Sequence, residues 1–124
     1  MWGWLVQMTG QDSSRPPNRC GGASRYSGAV IEWLRYHVPT ELQAAFLEAD
    51  ARIWMPTLAA QTGFLGKESW LEPDTQTVTL VIRWASLADW KSIPASGLEA
   101  ADRAFVAALG RNFEMLESRT FLVA

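Results

Sequence analysis

The chain has one cysteine, Cys20, and one histidine, His37, in 124 residues. A lone cysteine cannot close an internal disulfide. Together the two cannot supply the several His or Cys ligands of a typical zinc or non-haem iron site. No metal and no cofactor is therefore expected, and the simplest compartment is the reducing cytoplasm. Basic charge is scarce as well: 11 Lys and Arg stand against 13 Asp and Glu, for a net charge of −2. Without a basic footprint to release counterions, nucleic acid is not an expected partner, nor is an anionic membrane surface. No apolar run approaches the eighteen or so residues of a spanning helix. A P-loop, a dinucleotide fingerprint and a Ser-His-Asp set are all missing.

What is present suits one soluble globular domain: 48% of residues are hydrophobic and 19% charged. The composition changes near Gly28. Residues 10–28 are rich in Gly, Ser, Pro and Arg and show no period of 2 or 3.6. Residues 1–28 thus read as a disordered or extended leader, and 29–124 as the domain. The leader is either a docking arm anchored by Trp2 and Trp4, or else an unstructured extension or residues upstream of the true start codon. The second reading is favoured, because exposed termini are usually poorly ordered.

Within the domain, Val30 to Val38 reads as a strand, β-branched and aromatic and ended by Pro39. Thr40 and Gln43 have the spacing of a capping box. Leu42, Phe46, Ala49 and Ile53 then follow at helical spacing, widened by Leu47, Trp54 and Leu58. Pro56 should kink or break this helix, and Gly63 reads as its C-cap. Phe64 to Leu71 and Thr77 to Ala85 read as a hairpin around the turn at Pro73 and Asp74. Ser86 opens a short helix that stops at Pro94. Ser96 and Glu99 suggest a second capping box, starting a helix with Leu98, Ala101, Phe105, Ala108 and Leu109 inward and Gly110 beyond its end. Phe113 to Val123 is the last strand. The order β-α-β-β-α-β implies a ferredoxin-like α+β fold, an antiparallel sheet with its helices on one face.

Two helices cover only one sheet face. If Leu34, Tyr36, Leu80, Ile82 and Trp84 face them, then Ile31, Trp33, Val81 and Arg83 face away. Phe121 and Met115 add to one face or the other. An apolar sheet face in water predicts a partner, most simply a second copy around a two-fold axis. Arg35, Arg83 and His37 are then expected in or around that interface, paired with Glu68 or Glu117.

The strings VIEWLRYHVP, FLEADARIWMPTLAAQTGFLGKESW and VTLVIRWASLADWKSIP resemble a family of short uncharacterised cyanobacterial proteins. That family sits in the dimeric α/β-barrel superfamily, beside the antibiotic-biosynthesis monooxygenase domains. The resemblance begins at Val30 and leaves the leader outside. It implies a dimeric α/β barrel and a pocket between sheet and helices, lined by a tryptophan at the end of the third strand, which Trp84 matches. Superfamily members include cofactor-independent oxygenases, haem degraders, dismutases and proteins of no known activity. This chain lacks the haem degraders' histidine between Ser96 and Gly110 and their asparagine in the first strand, so haem degradation is not expected.

Trp84, Tyr36 and Trp54 are the candidate lining of an aromatic pocket for a small apolar or aromatic ligand, or else a packed core. His37 is a candidate general base, or a strand-end histidine bonded across the dimer. Glu32 with Glu68 or Glu117 is a candidate acid/base pair, or a set of solvated carboxylates. Cys20 beside Arg19 is a poor candidate thiol. The expected function is a non-catalytic small-molecule-binding or assembly dimer. The alternative is a cofactor-independent monooxygenase-like enzyme acting on a small aromatic substrate.

Overall fold

The computed structural model describes residues 28–124. The expected leader, with Trp2, Trp4 and Cys20, lies outside the described residues apart from Gly28. Strand β1 (Val30–His37) leads through Pro39 into helix α1 (Thr40–Ala49). A π-helical turn (Asp50–Trp54) and helix α2 (Met55–Ala59) continue the same rod. The hairpin β2 (Phe64–Glu72) and β3 (Thr77–Trp84) follows, then α3 (Leu87–Lys91), α4 (Ala95–Leu109) and β4 (Met115–Leu122). The four strands pair antiparallel in the order β2-β3-β1-β4. This is the ferredoxin-like α+β arrangement expected from the sequence.

Alternation decides the faces, because successive strand residues point to opposite sides. Val30, Leu34 and Tyr36 of β1 and Val78, Leu80, Ile82 and Trp84 of β3 are buried. They pack with Phe46, Trp54, Leu58, Trp90, Leu98 and Phe105 from the helical layer. Ile31, Trp33, Arg35 and His37 take the opposite face, in register with Arg83, Val81, Thr79 and Thr77 of β3. Phe121 lies opposite Ile31 and so joins the open face, while Met115 lies opposite Tyr36 and packs against the core.

Several local expectations are corrected. Pro56 does not break the rod. The helix widens one turn earlier, with the Met55 N–H donating to the Asp50 carbonyl, and Pro56 falls in the first turn of α2. There its missing N–H leaves no interior bond unmade. Neither capping box forms. Thr40 is already helical, and Gln43 donates to the Val38 carbonyl at 3.1 Å. α4 starts at Ala95 after Pro94, with no side-chain cap. Ser86 does cap α3, accepting from the Asp89 N–H at 3.0 Å. Gly63 is not the C-cap, since the rod ends at Ala59. Its φ of +84° and its closeness to Asp89 make it a spacer before β2. Gly110 is the left-handed C-cap expected. On α4, Ala108 is exposed and Asp102 is buried instead.

Candidate functional site between the sheet and the helices

One register row of the sheet concentrates ionisable groups on the helix-facing side. Ile82 of β3 lies between Glu32 of β1 and Lys67 of β2. Glu32 is fully buried, on the side of β1 that otherwise carries Val30, Leu34 and Tyr36. The Lys67 side chain is 2% exposed and donates to Asp50 at 2.5 Å; that of Asp50 is 5% exposed. Asp50 descends from the π-helical turn, a local widening that proteins often place at functional sites.

The polar atoms here are incompletely partnered. Trp84 Nε1 donates to Glu32 Oε1 at 3.4 Å, a long bond, and Glu32 Oε2 has no partner. Trp90 Nε1 lies close enough to favour the charged form of Glu32, yet it falls outside hydrogen-bonding geometry. The Tyr36 hydroxyl is also buried without a partner. Native interiors rarely leave such groups unsatisfied unless a water or a ligand completes them.

Burial sets the electrostatics. Loss of water pushes the Glu32 carboxyl from 4.5 to about 8, against the opposing pull of the Trp84 and Trp90 indoles and the Lys67 charge. Burial also holds the Lys67 ammonium below an ordinary lysine, with Asp50 acting in the other direction. The Tyr36 phenol is raised, first by burial and then by the charges of Glu32, Asp102 and Asp50. At neutral pH Glu32 is largely a neutral acid. A carboxyl that titrates near neutrality in an apolar setting has the range of a general base or acid.

The sequence candidates separate. Trp84 joins Glu32 and stacks edge-on against Phe64, ring centroids 5.7 Å apart. Tyr36 stands at the other end of the same face, six residues along β1 from the Val30 that pairs with Trp84. That is about 20 Å of strand. Its ring meets Phe46, which in turn meets Phe105 and Phe113. Only its hydroxyl is linked electrically to the Glu32 row. Trp54 is buried four residues after Asp50 on the π-helical turn. His37 lies at the end of β1 on the opposite face, partly exposed, and does not meet the other three. The suggested pairing of Glu32 with Glu68 or Glu117 does not occur. Glu68 is opposite Val81 and Glu117 opposite Arg35, both on the open face. There Arg83 meets Glu68 at 4.0 Å, and Arg35 meets Glu72 at 3.4 Å and Glu117 at 4.0 Å.

Sequence reasoning missed Lys67 and Asp50. Asp50 carried a faint signal, a carboxylate inside the apolar stripe between Phe46 and Trp54. Lys67 carried none. Among the described residues, no group of three or more His, Cys, Asp or Glu is placed to hold a metal ion. No helix of the described residues is long and apolar enough to cross a membrane.

Solved structures of known proteins share this architecture. A candidate antibiotic biosynthesis monooxygenase from Caulobacter crescentus superposes with a TM-score of 0.60 at 13% identity, covering 80% of this chain and 92% of its own. One from Bordetella bronchiseptica gives 0.59 at 20% identity, over 76% and 95%. A point mutant of SnoaB, a cofactor-independent oxygenase from Streptomyces nogalater, gives 0.55 at 17% identity, over 78% and 92%. The chain has the antibiotic-biosynthesis-monooxygenase-like fold. At these identities the likeness is one of fold. No protein-family model and no curated protein sequence matches the chain.

Proposed function

We propose that this chain is a homodimeric small-molecule-binding protein of the cytoplasm, with residues 29–124 as its domain. Its ligand lies between sheet and helices against Glu32, Trp84, Trp90 and Trp54. The observation that carries this reading is the unpartnered Glu32 Oε2, buried beside two indole N–H groups in an aromatic setting. A polar atom so placed calls for a partner, and the surrounding rings favour a flat apolar or aromatic body bearing one polar group. Tyr36 lies on the same sheet face four residues along β1 from Glu32, whereas His37 belongs to the dimer face.

The open face supports the second copy. Trp33 and Ile31, each half-buried, form its centre in the register of the sheet, around a Val81 that is only 2% exposed in the single chain. Trp70 and Phe121 are 49% and 45% exposed. A two-fold pairing covers these groups at once and sets the Arg35 and Arg83 ion pairs at its rim. The sequence resemblance to a cyanobacterial family of the dimeric α/β-barrel superfamily points the same way.

Native mass spectrometry with added 1-naphthol tests both parts. The expected species is a dimer carrying up to one naphthol per subunit, with quenched tryptophan fluorescence. A monomer at tens of micromolar removes the dimer, and unaltered mass and fluorescence remove the ligand site.

The near-neutral pKa of Glu32 favours one further reading, a cofactor-independent monooxygenase acting on a small aromatic substrate. A buried carboxylate of that strength can take the proton of a phenol or enol, leaving an anion that molecular oxygen can oxidise. The SnoaB likeness in fold lends this reading its support. Oxygen uptake with 1-naphthol that disappears in Glu32→Gln is its test, and uptake indifferent to that change refutes it.

A further inference from the structure

Lys67 and Asp50 have no part in the binding reading, yet they are the most deeply buried ion pair among the described residues. Burying two charges together seldom stabilises a fold relative to apolar side chains of the same volume. The pair sits beside Glu32, a buried carboxyl with a free oxygen. Glu32 and Lys67 flank Ile82, so their backbones are two strand spacings apart, about 10 Å. Each side chain feels the other's charge. An ammonium has three N–H donors, and Asp50 takes one.

We propose that Glu32, Lys67 and Asp50 form a proton-transfer site for small carbonyl compounds, in which Glu32 removes a proton from the carbon beside the carbonyl and Lys67 holds the oxygen of the resulting enolate. The C–H bond breaks and a Glu32 O–H bond forms. The electron pair moves to the carbonyl oxygen, which accepts from Lys67. Return of that proton restores the ketone, and where the Glu32 O–H has first exchanged with D2O a deuteron is returned instead, so the cycle needs no oxidant and no co-reactant other than solvent. Asp50 is a positioning residue: it fixes the ammonium and keeps it charged where burial would discharge it. The indole N–H groups of Trp84 and Trp90 steady the Glu32 carboxylate while it is ionised. This inference rests on the ligand site proposed above and names its chemistry.

Hydrogen exchange at carbon tests it. The full chain is incubated in D2O with 1-tetralone, a flat aryl ketone, and loss of the proton signal beside the carbonyl is followed by NMR across the neutral range. A placed base is worth about a hundredfold and an oxyanion donor about a hundredfold more, so exchange should exceed the buffer rate by about ten-thousandfold. The rate should climb with pH as Glu32 ionises and level off near 8. Lys67 from β2 and the indoles of Trp84 from β3 and Trp90 from α3 act on this profile directly; Asp50 from the π-helical turn acts through Lys67, and Tyr36 from β1 itself feels the Glu32 charge. Glu32→Gln should lower the rate by about a hundredfold and remove the rise with pH. Lys67→Met should lower it by about a hundredfold while keeping the rise, moved to higher pH. A purely structural lysine would also move the profile, through its charge on Glu32, but would leave the plateau rate unchanged.

If 1-tetralone quenches tryptophan fluorescence but exchanges at the buffer rate, the inference is overturned while the binding site stands. If neither 1-tetralone nor 1-naphthol quenches, both go. Should a variant fail to fold, the rate and pH profile of the unaltered protein decide alone.

Discussion

Glu32→Gln should remove the pH dependence that this one side chain imposes on stability. The native carboxyl holds its proton up to about 8, against 4.5 for an ordinary glutamate. Below 4.5 the proton is on in both the folded and unfolded chains, and the stabilisation linked to it is fully present. As pH rises from 4.5 toward 8, the unfolded chain sheds the proton and the folded chain keeps it. Unfolding then becomes easier by about 1.4 kcal/mol per pH unit, levelling off above about 8. Over the whole interval this is roughly 5 kcal/mol, and between about pH 5 and pH 8 about 3–4 kcal/mol. Gln has the shape of the protonated acid and does not titrate. The variant should therefore resemble the native protein near pH 5 and exceed it near pH 8. Urea unfolding of both proteins at the two pH values measures the double difference, from which the other carboxylates cancel. Parallel stability curves for the two proteins would mean that Glu32 is ionised or solvated in the fold, and the electrostatic account of the site would collapse.

Three other outcomes are expected. Lys67→Met or Asp50→Asn alone should destabilise the fold by about 3–5 kcal/mol in urea unfolding, because each leaves a buried group without its partner. The double change Lys67→Met with Asp50→Leu should recover most of that loss, and additive losses would contradict the coupling. Trp33→Glu places charge at the centre of the open face opposite Val81. Sedimentation should show a dimer becoming a monomer with circular dichroism unchanged, while an intact dimer would move the interface elsewhere. At Gly63, a Cβ would sit 2.3 Å from Asp89 Oδ2 on a backbone of φ +84°. Gly63→Ala should cost at least about 1 kcal/mol in thermal unfolding, and a neutral result would mean that the β2 entry is not constrained.

Much of the fold was legible because strand alternation is a local property. Leu34 and Tyr36 on one side of β1, with Trp33 and Ile31 on the other, follow from a period of two once Leu80, Ile82 and Trp84 are assigned to the helix side. The hairpin, the Ser86 cap and the Gly110 stop are likewise written in neighbouring residues. Helix starts were less so. Thr40 and Ser96 fit a capping pattern, but Pro39 and Pro94 begin the turns earlier and leave those hydroxyls inside the helix.

The sequence alone determined the order of elements, the two faces of the sheet and the aromatic supply of its core, since each depends on residues a few positions apart. Only the tertiary structure decided which ionisable groups meet. Asp50 and Lys67 are 17 residues apart on different elements, and Glu32 comes beside Lys67 only because β3 inserts between β1 and β2. Tyr36 and Trp84, both correctly turned inward, are carried to opposite ends of the layer by antiparallel register. The burial that shifts the Glu32 proton toward neutrality is a property of everything packed around it, and no stretch of chain carries that information.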